Sequence, residues 1–153
     1  MNVSIGFSLQ GFLIILLPMV PNLFYFVFPK IFTSNHEVTK HKILELIEHS
    51  SQFLFIALLL LLKSNVDASM ESTLILVMSL LLLSYYFLWV LLFLGHENRI
   101  VLMCMAIFPI IYFLIAEIWL YNYFAVIPTV IFGITHIMIT YLDSSVLRQK
   151  TLR

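Results

Sequence analysis

The chain has 153 residues, of which 62% are hydrophobic and 10% charged, with no net formal charge and a mean hydropathy of +1.06. A soluble domain carries roughly 25% charged residues, so a water-soluble globule is excluded: there is too little polar surface to wrap this much apolar material. Neutrality excludes a nucleic-acid binder built on a broad basic surface, and the single cysteine, Cys104, excludes an intramolecular disulfide or a CxxC site.

Crossing a bilayer takes about 20 apolar residues in a helix. Five stretches qualify, predicting spans at 5–28, 43–62, 74–94, 100–121 and 123–141 in a single all-α transmembrane domain covering 1–153. The first span follows MNVS, which has no Lys or Arg, and no small-x-small cleavage site follows it, so it reads as a retained helix. It carries Pro18, Pro21 and Asn22. The second opens with Glu45, Glu48, His49 and Gln52, whose offsets of 0, 3, 4 and 7 share one helical face. The third offers Ser84, Tyr85, Tyr86 and Trp89; the fourth holds Pro109 and, near its end, Glu117. The fifth, after Pro128, places Thr129, Gly133, His136 and Thr140 on one face.

Basic residues near the helix ends set orientation. With the N-terminus outside, seven (Lys30, Lys40, Lys42, Arg99, Arg148, Lys150 and Arg153) fall on the inner side and one, Lys63, on the outer, beside Asp67 and Glu71. The expected topology is therefore N-terminus out and C-terminus in. Trp119, Tyr121, Tyr123 and Phe124 form an aromatic belt at the outer interface.

At about 1.5 Å per residue, His49 and His136 each lie roughly 10 Å from the inner boundary, Asn22 about 12 Å and Tyr86 about 15 Å. Four helices thus bring hydrogen-bonding groups to one layer. Polar residues inside spans carry a cost and face protein or a cavity. Ser and Thr at such positions commonly tie helices together. Glu48, His49 and His136 are different, because no Lys or Arg sits within a span to neutralise them. The expectation is a polar pocket in the cytoplasmic half, with Asn22, Glu48, His49, Gln52, Tyr86, Trp89 and His136 as ligand-binding residues. Glu117, near the opposite face, reads either as an interfacial carboxylate or as a gate or proton-accepting group.

Several chemistries meet only fragments of their requirements. A metal wants three or four ligands; Glu45, His49 and His136 offer a set without an H-E-x-x-H motif, and a bis-imidazole haem has only the minimum pair, His49 and His136. Met103, Cys104 and Met105 are adjacent and so point in different directions. No cofactor and no catalytic residue is assigned. There is no G-x-S-x-G for nucleophilic hydrolysis. The preferred reading is binding or translocation of a small molecule or ion. The alternatives are a membrane-embedded enzyme using His/Glu acid–base chemistry and a non-catalytic subunit of a larger membrane complex. The partners expected are the lipid bilayer and a second copy or a larger complex, with no nucleic acid.

The runs PNLFYFVFP (Pro21 to Pro29) and LELIEHSSQF (Leu44 to Phe53) resemble a group of small bacterial integral membrane proteins of no assigned activity, which show a PNL…FP first helix and a Leu/Glu-rich start to the second. The resemblance covers about the first two spans. It implies a multi-pass protein of the bacterial cytoplasmic membrane and says nothing about chemistry.

Overall fold

The computed structural model describes residues 3–27, 41–64, 68 and 73–151. Phe28, Pro29, Lys30, Lys40, Asp67, Glu71 and Arg153, invoked above, lie outside the described residues, as do the side chains of Arg148 and Lys150. In chain order the elements are β1 (Val3–Ile5), α1 (Leu9–Val27), α2 (Lys42–Leu61), β2 (Leu62–Ser64), α3 (Thr73–Phe93), α4 (Arg99–Trp119) and α5 (Tyr123–Thr151). The protein is an all-α, multi-pass membrane protein. Helices α2, α3, α4 and the Tyr123–Ser144 part of α5 are long and apolar enough to cross a bilayer, while α1 has a shorter apolar stretch, Leu9–Phe24. Most large apolar side chains on their outer faces are exposed, among them Phe53, Leu83, Phe87 and Ile127. That is the arrangement expected of a bundle whose solvent is hydrocarbon.

Helix ends follow local chemistry. Ser8 caps α1, its hydroxyl accepting from the Gly11 amide at 3.0 Å. The first helix therefore begins at Leu9, later than the span expected from residue 5, because residues 3–5 are used otherwise. They pair antiparallel with β2, Val3 opposite Ser64 and Ile5 opposite Leu62. The ladder continues through Gly6 N–H to Leu61 and Ser8 N–H to Leu60. At the start of α4 the Asn98 side chain accepts from Val101 N at 2.9 Å. Helix α3 closes with His96 N–H on the Leu91 carbonyl and Gly95 N–H on Leu92, a Schellman motif whose αL residue is Gly95 at φ 82°. Helix α4 closes the same way, Asn122 N–H on Glu117 and Tyr121 N–H on Ile118, yet here the αL residue is Tyr121 at φ 54°. A side chain in that region costs about 1 kcal/mol, offset by the two carbonyls the motif satisfies. Beyond Tyr141 no Gly or Pro intervenes, and α5 runs on through polar residues to Thr151.

The bundle is held mainly by α2 against α5, α3 against α4 and α4 against α5, with α1 laid more lightly over α2, α3 and α4. Ser51, Ser79, Ser84 and Thr135 each donate to the carbonyl four residues back, so their hydroxyls are satisfied within their own helices. The close approach of α1 is at Gly11: a Cβ there would stand 2.0 Å from the Leu59 carbonyl oxygen. Further along α1, Pro21 has no N–H for the Leu17 carbonyl. The Tyr86 hydroxyl supplies the missing donor at 2.6 Å. Asn22 Nδ2 likewise donates to the Pro18 carbonyl and to the Tyr85 hydroxyl, both at 3.4 Å.

Two tests follow from these contacts. Gly11→Ala drives a methyl into the backbone of α2 and is expected to destabilise the bundle by about 1–3 kcal/mol, read as a lowered unfolding midpoint in mixed micelles. Tyr86→Phe strands the Leu17 carbonyl and should cost about 1 kcal/mol. In a Pro21→Ala background a helical N–H replaces the hydroxyl, so the Tyr86→Phe cost should fall near zero in a double-mutant cycle. Equal costs in both backgrounds would show that the hydroxyl does something else.

Candidate functional site

A cavity of about 300 Å³ lies among all five helices. Its lining runs from Leu102, Trp89 and Thr140, at the Arg99 end of the bundle, to Ile15, Phe113 and Phe132 halfway along. Pro18 and Pro109 sit on its walls, each removing one helical hydrogen bond from α1 and α4. At its inner end the Phe55 ring contacts Phe113 (centroids 5.1 Å apart) and Phe132 (5.3 Å). Phe55 is 1% exposed, and the three buried rings pack together at this end of the cavity.

The polar groups on the wall are few: Asn22 from α1, Gln52 from α2, Tyr85 and Trp89 from α3, His136 and Thr140 from α5. Trp89 stands edge-on to the Tyr85 ring at 6.3 Å. His136 is the most constrained of them. Its Nδ1 lies 2.5 Å from Glu48 Oε1, and its ring stacks on Phe132 at 5.2 Å with 22° between planes. An ionised carboxylate accepts and cannot donate, so in the neutral ring this contact places the proton on Nδ1 and makes Nε2 the acceptor. Glu48 is itself nearly buried, its side chain 12% exposed. It therefore orients the histidine from behind the cavity wall.

The residues singled out from sequence divide as follows. Asn22, Gln52, Trp89 and His136 line the cavity. Glu48 stands behind His136. His49 lies one residue further round α2, about 100° from Glu48, with its side chain 74% exposed and Nδ1 2.7 Å from the Glu45 carbonyl oxygen. Its Nδ1 is 3.8 Å from Glu48 Oε2, so the two imidazoles approach opposite oxygens of one carboxylate. Tyr86 spends its hydroxyl on Leu17, and it is the neighbouring Tyr85 that reaches the cavity. Helical spacing alone does not separate the two, since Tyr85 and Tyr86 lie four and three residues from Trp89 and both can share its face. Thr140 and the Phe55, Phe113 and Phe132 closure were not marked as site residues by the sequence. Among the described residues, no cluster of three or more His, Cys, Asp or Glu side chains is arranged to hold a metal.

A second polar group lies beyond the phenylalanines. Glu117 is 0% exposed, one turn past Phe113 on α4. Its Oε1 accepts a hydrogen bond from the Thr129 hydroxyl, one turn before Phe132 on α5. Asn122, 2% exposed in the turn between these helices, donates from Nδ2 to the carbonyls of Leu58 (2.9 Å) and Leu62 (3.3 Å) at the end of α2. Neither Glu117 Oε2 nor Asn122 Oδ1 has a hydrogen-bond partner among the described residues.

None of the protein-family models, curated proteins or solved structures compared with this chain matches it.

The Glu48–His136 contact makes a direct prediction. In ¹⁵N spectra of the protein with labelled histidine, His136 should show the Nδ1–H tautomer. Glu48→Leu removes the acceptor and should leave both tautomers populated. A His136 ring carrying its proton on Nε2 in the unmodified protein would contradict the assignment.

Proposed function

We propose that this membrane protein binds a small, largely apolar molecule with one polar head group, in the cavity beside His136. The observation that carries the reading is the fixing of that ring: a nearly buried carboxylate engages its Nδ1 edge and a phenylalanine stacks on its face, on an otherwise mostly apolar wall. Ligand sites characteristically combine an apolar lining with a few fixed polar groups, and 300 Å³ is at the small end of their range. The head group that suits Nε2 is a donor such as a hydroxyl or amine, with Asn22, Gln52 and Thr140 as further partners along the same wall. The seven-to-one division of basic residues favours an orientation in which the Arg99 end, and with it the cavity, is on the cytoplasmic side. The closed ring cluster at Phe55 favours binding over open conduction: a translocation route would have to part three packed aromatic side chains.

The experiment is mass spectrometry of small molecules and lipids extracted from purified protein. The unmodified chain is compared with His136→Ala, with Ala106→Leu, which fills the cavity, and with the lipid-facing control Leu83→Ala. A discrete molecule should accompany the unmodified protein and the control. Loss of about 1.4 kcal/mol of interaction lowers its retention tenfold, and both cavity variants should show at least that. Identical extracts from all four folded proteins would overturn the proposal.

A further inference from the structure

The walls of the cavity beside His136 are unequal. Tyr85, Trp89, Ala106, Ile110, Phe113 and Phe132, contributed by α3, α4 and α5, are all buried. On the opposite side, Asn22 of α1 and Gln52 of α2 line the same cavity yet are exposed, and Met19 of α1 is 42% exposed.

The contacts that fix α1 account for the difference. Its first turns are seated on the end of α2, with Gly11 against the Leu59 backbone and residues 3–5 paired with 62–64. Its later turns are tied to α3 instead, the Leu17 carbonyl to Tyr86 and the Asn22 amide to Tyr85. Helix α1 therefore crosses from α2 to α3, and its second half parts from the first half of α2. The seams of α2 with α5, α3 with α4 and α4 with α5 are the closely packed ones. At the Arg99 end, the guanidinium carbon of Arg99 lies 4.2 Å from the Tyr141 ring centroid and joins α4 to α5.

Depth determines what the opening faces. Gln52 is ten residues into α2 from Lys42, and Met19 is eight residues before Val27. At 1.5 Å per residue these are about 15 Å and 12 Å, within a hydrocarbon layer about 30 Å thick. Both rim residues thus lie among acyl chains. Their exposed neighbours Leu23, Phe24, Phe53 and Leu54 are apolar. His49, one turn from Gln52, spends Nδ1 on the Glu45 carbonyl.

We propose that the cavity is loaded sideways from the bilayer, through the gap between α1 and α2, and that its occupant is a membrane-dissolved aliphatic amphiphile. The proposal rests on the reading of the cavity as a binding site and narrows the class of molecule it takes. Hydrocarbon already satisfies the chain of such a molecule. What entry adds is hydrogen-bond partners for the head group, which lipid tails withhold.

The test follows Trp89, which lines the cavity at 6% exposure, in the full chain carrying Trp119→Phe in phosphatidylcholine vesicles. The probe is a brominated dodecanol, whose bromine quenches a tryptophan it touches. Quenching should saturate with the mole fraction of probe in the bilayer, and aqueous iodide should leave Trp89 unquenched. Met19→Cys with Gln52→Cys, in a Cys104→Ser background, allows a cleavable cross-linker to bridge the gap. Bridging should slow quenching at least tenfold, and cleavage should restore the rate. Should that variant fail to fold, the unbridged chain decides: its quenching rate should follow the probe content of the bilayer at fixed aqueous concentration. A rate unchanged by bridging or by bilayer content, or quenching by iodide, would put the entrance elsewhere and overturn the proposal while leaving the cavity a binding site. No saturable quenching in the unbridged chain would instead remove the binding reading, and the side entrance with it.

Discussion

Hydrocarbon offers no hydrogen bonds, and the arrangement of this bundle follows from where each polar group finds a partner inside it. The serines and threonines facing outward fold their hydroxyls back onto their own helices. Where a proline has removed a donor, another helix must provide one, and that requirement ties α1 to α3 through Leu17 and Tyr86. Where two helices end together, Asn122 caps the carbonyls of α2 from the turn that joins α4 to α5. These contacts are individually modest. Collectively they fix which faces meet, because any other rotation of a helix would strand a polar atom in lipid.

The same rule makes the two polar stations informative. A histidine could have been satisfied by a backbone carbonyl, as His49 is by Glu45. His136 is instead held by a carboxylate from another helix and by a ring beneath it, an arrangement that restricts tautomer and tilt together. Glu117 lies at the opposite extreme: it is fully enclosed, with one of its oxygens accepting a hydrogen bond and the other without a donor among the described residues. The phenylalanines between the two stations belong to three different helices, so the barrier is as rigid as the packing of α2, α4 and α5.

Much of this was legible in the chain. Hydropathy alone located α1 to α4 to within four residues at each end, since long apolar runs broken by short polar turns leave little choice in a bilayer, but it gave no sign that α5 continues past Tyr141 to Thr151. The common depth assigned to Asn22, His49, Tyr86 and His136 drew on four helices; Asn22 and His136 line the cavity, whereas His49 and Tyr86 do not. Other features were hidden for identifiable reasons. The strands Val3–Ile5 and Leu62–Ser64 are too short to show alternation and were absorbed into the flanking apolar runs. Adjacent aromatic residues such as Tyr85 and Tyr86 differ by only 100° on a helix, which a depth argument does not resolve. The turn at Asn122 was legible as the break between the spans 100–121 and 123–141, but which faces of α4 and α5 it brings together was not, and so the partnership of Glu117 with Thr129 stayed hidden.

The small ladder at the start of the chain bears on how the protein is made. Residues 3–5 leave the ribosome well before their hydrogen-bonding partners, residues 62–64, which follow only after the whole of α2 has been synthesised. The seat for Gly11, the backbone at Leu59, arrives equally late. Helix α1 thus enters the membrane before the surface that receives it exists, and its docking is a step of assembly deferred until its successor has been threaded across.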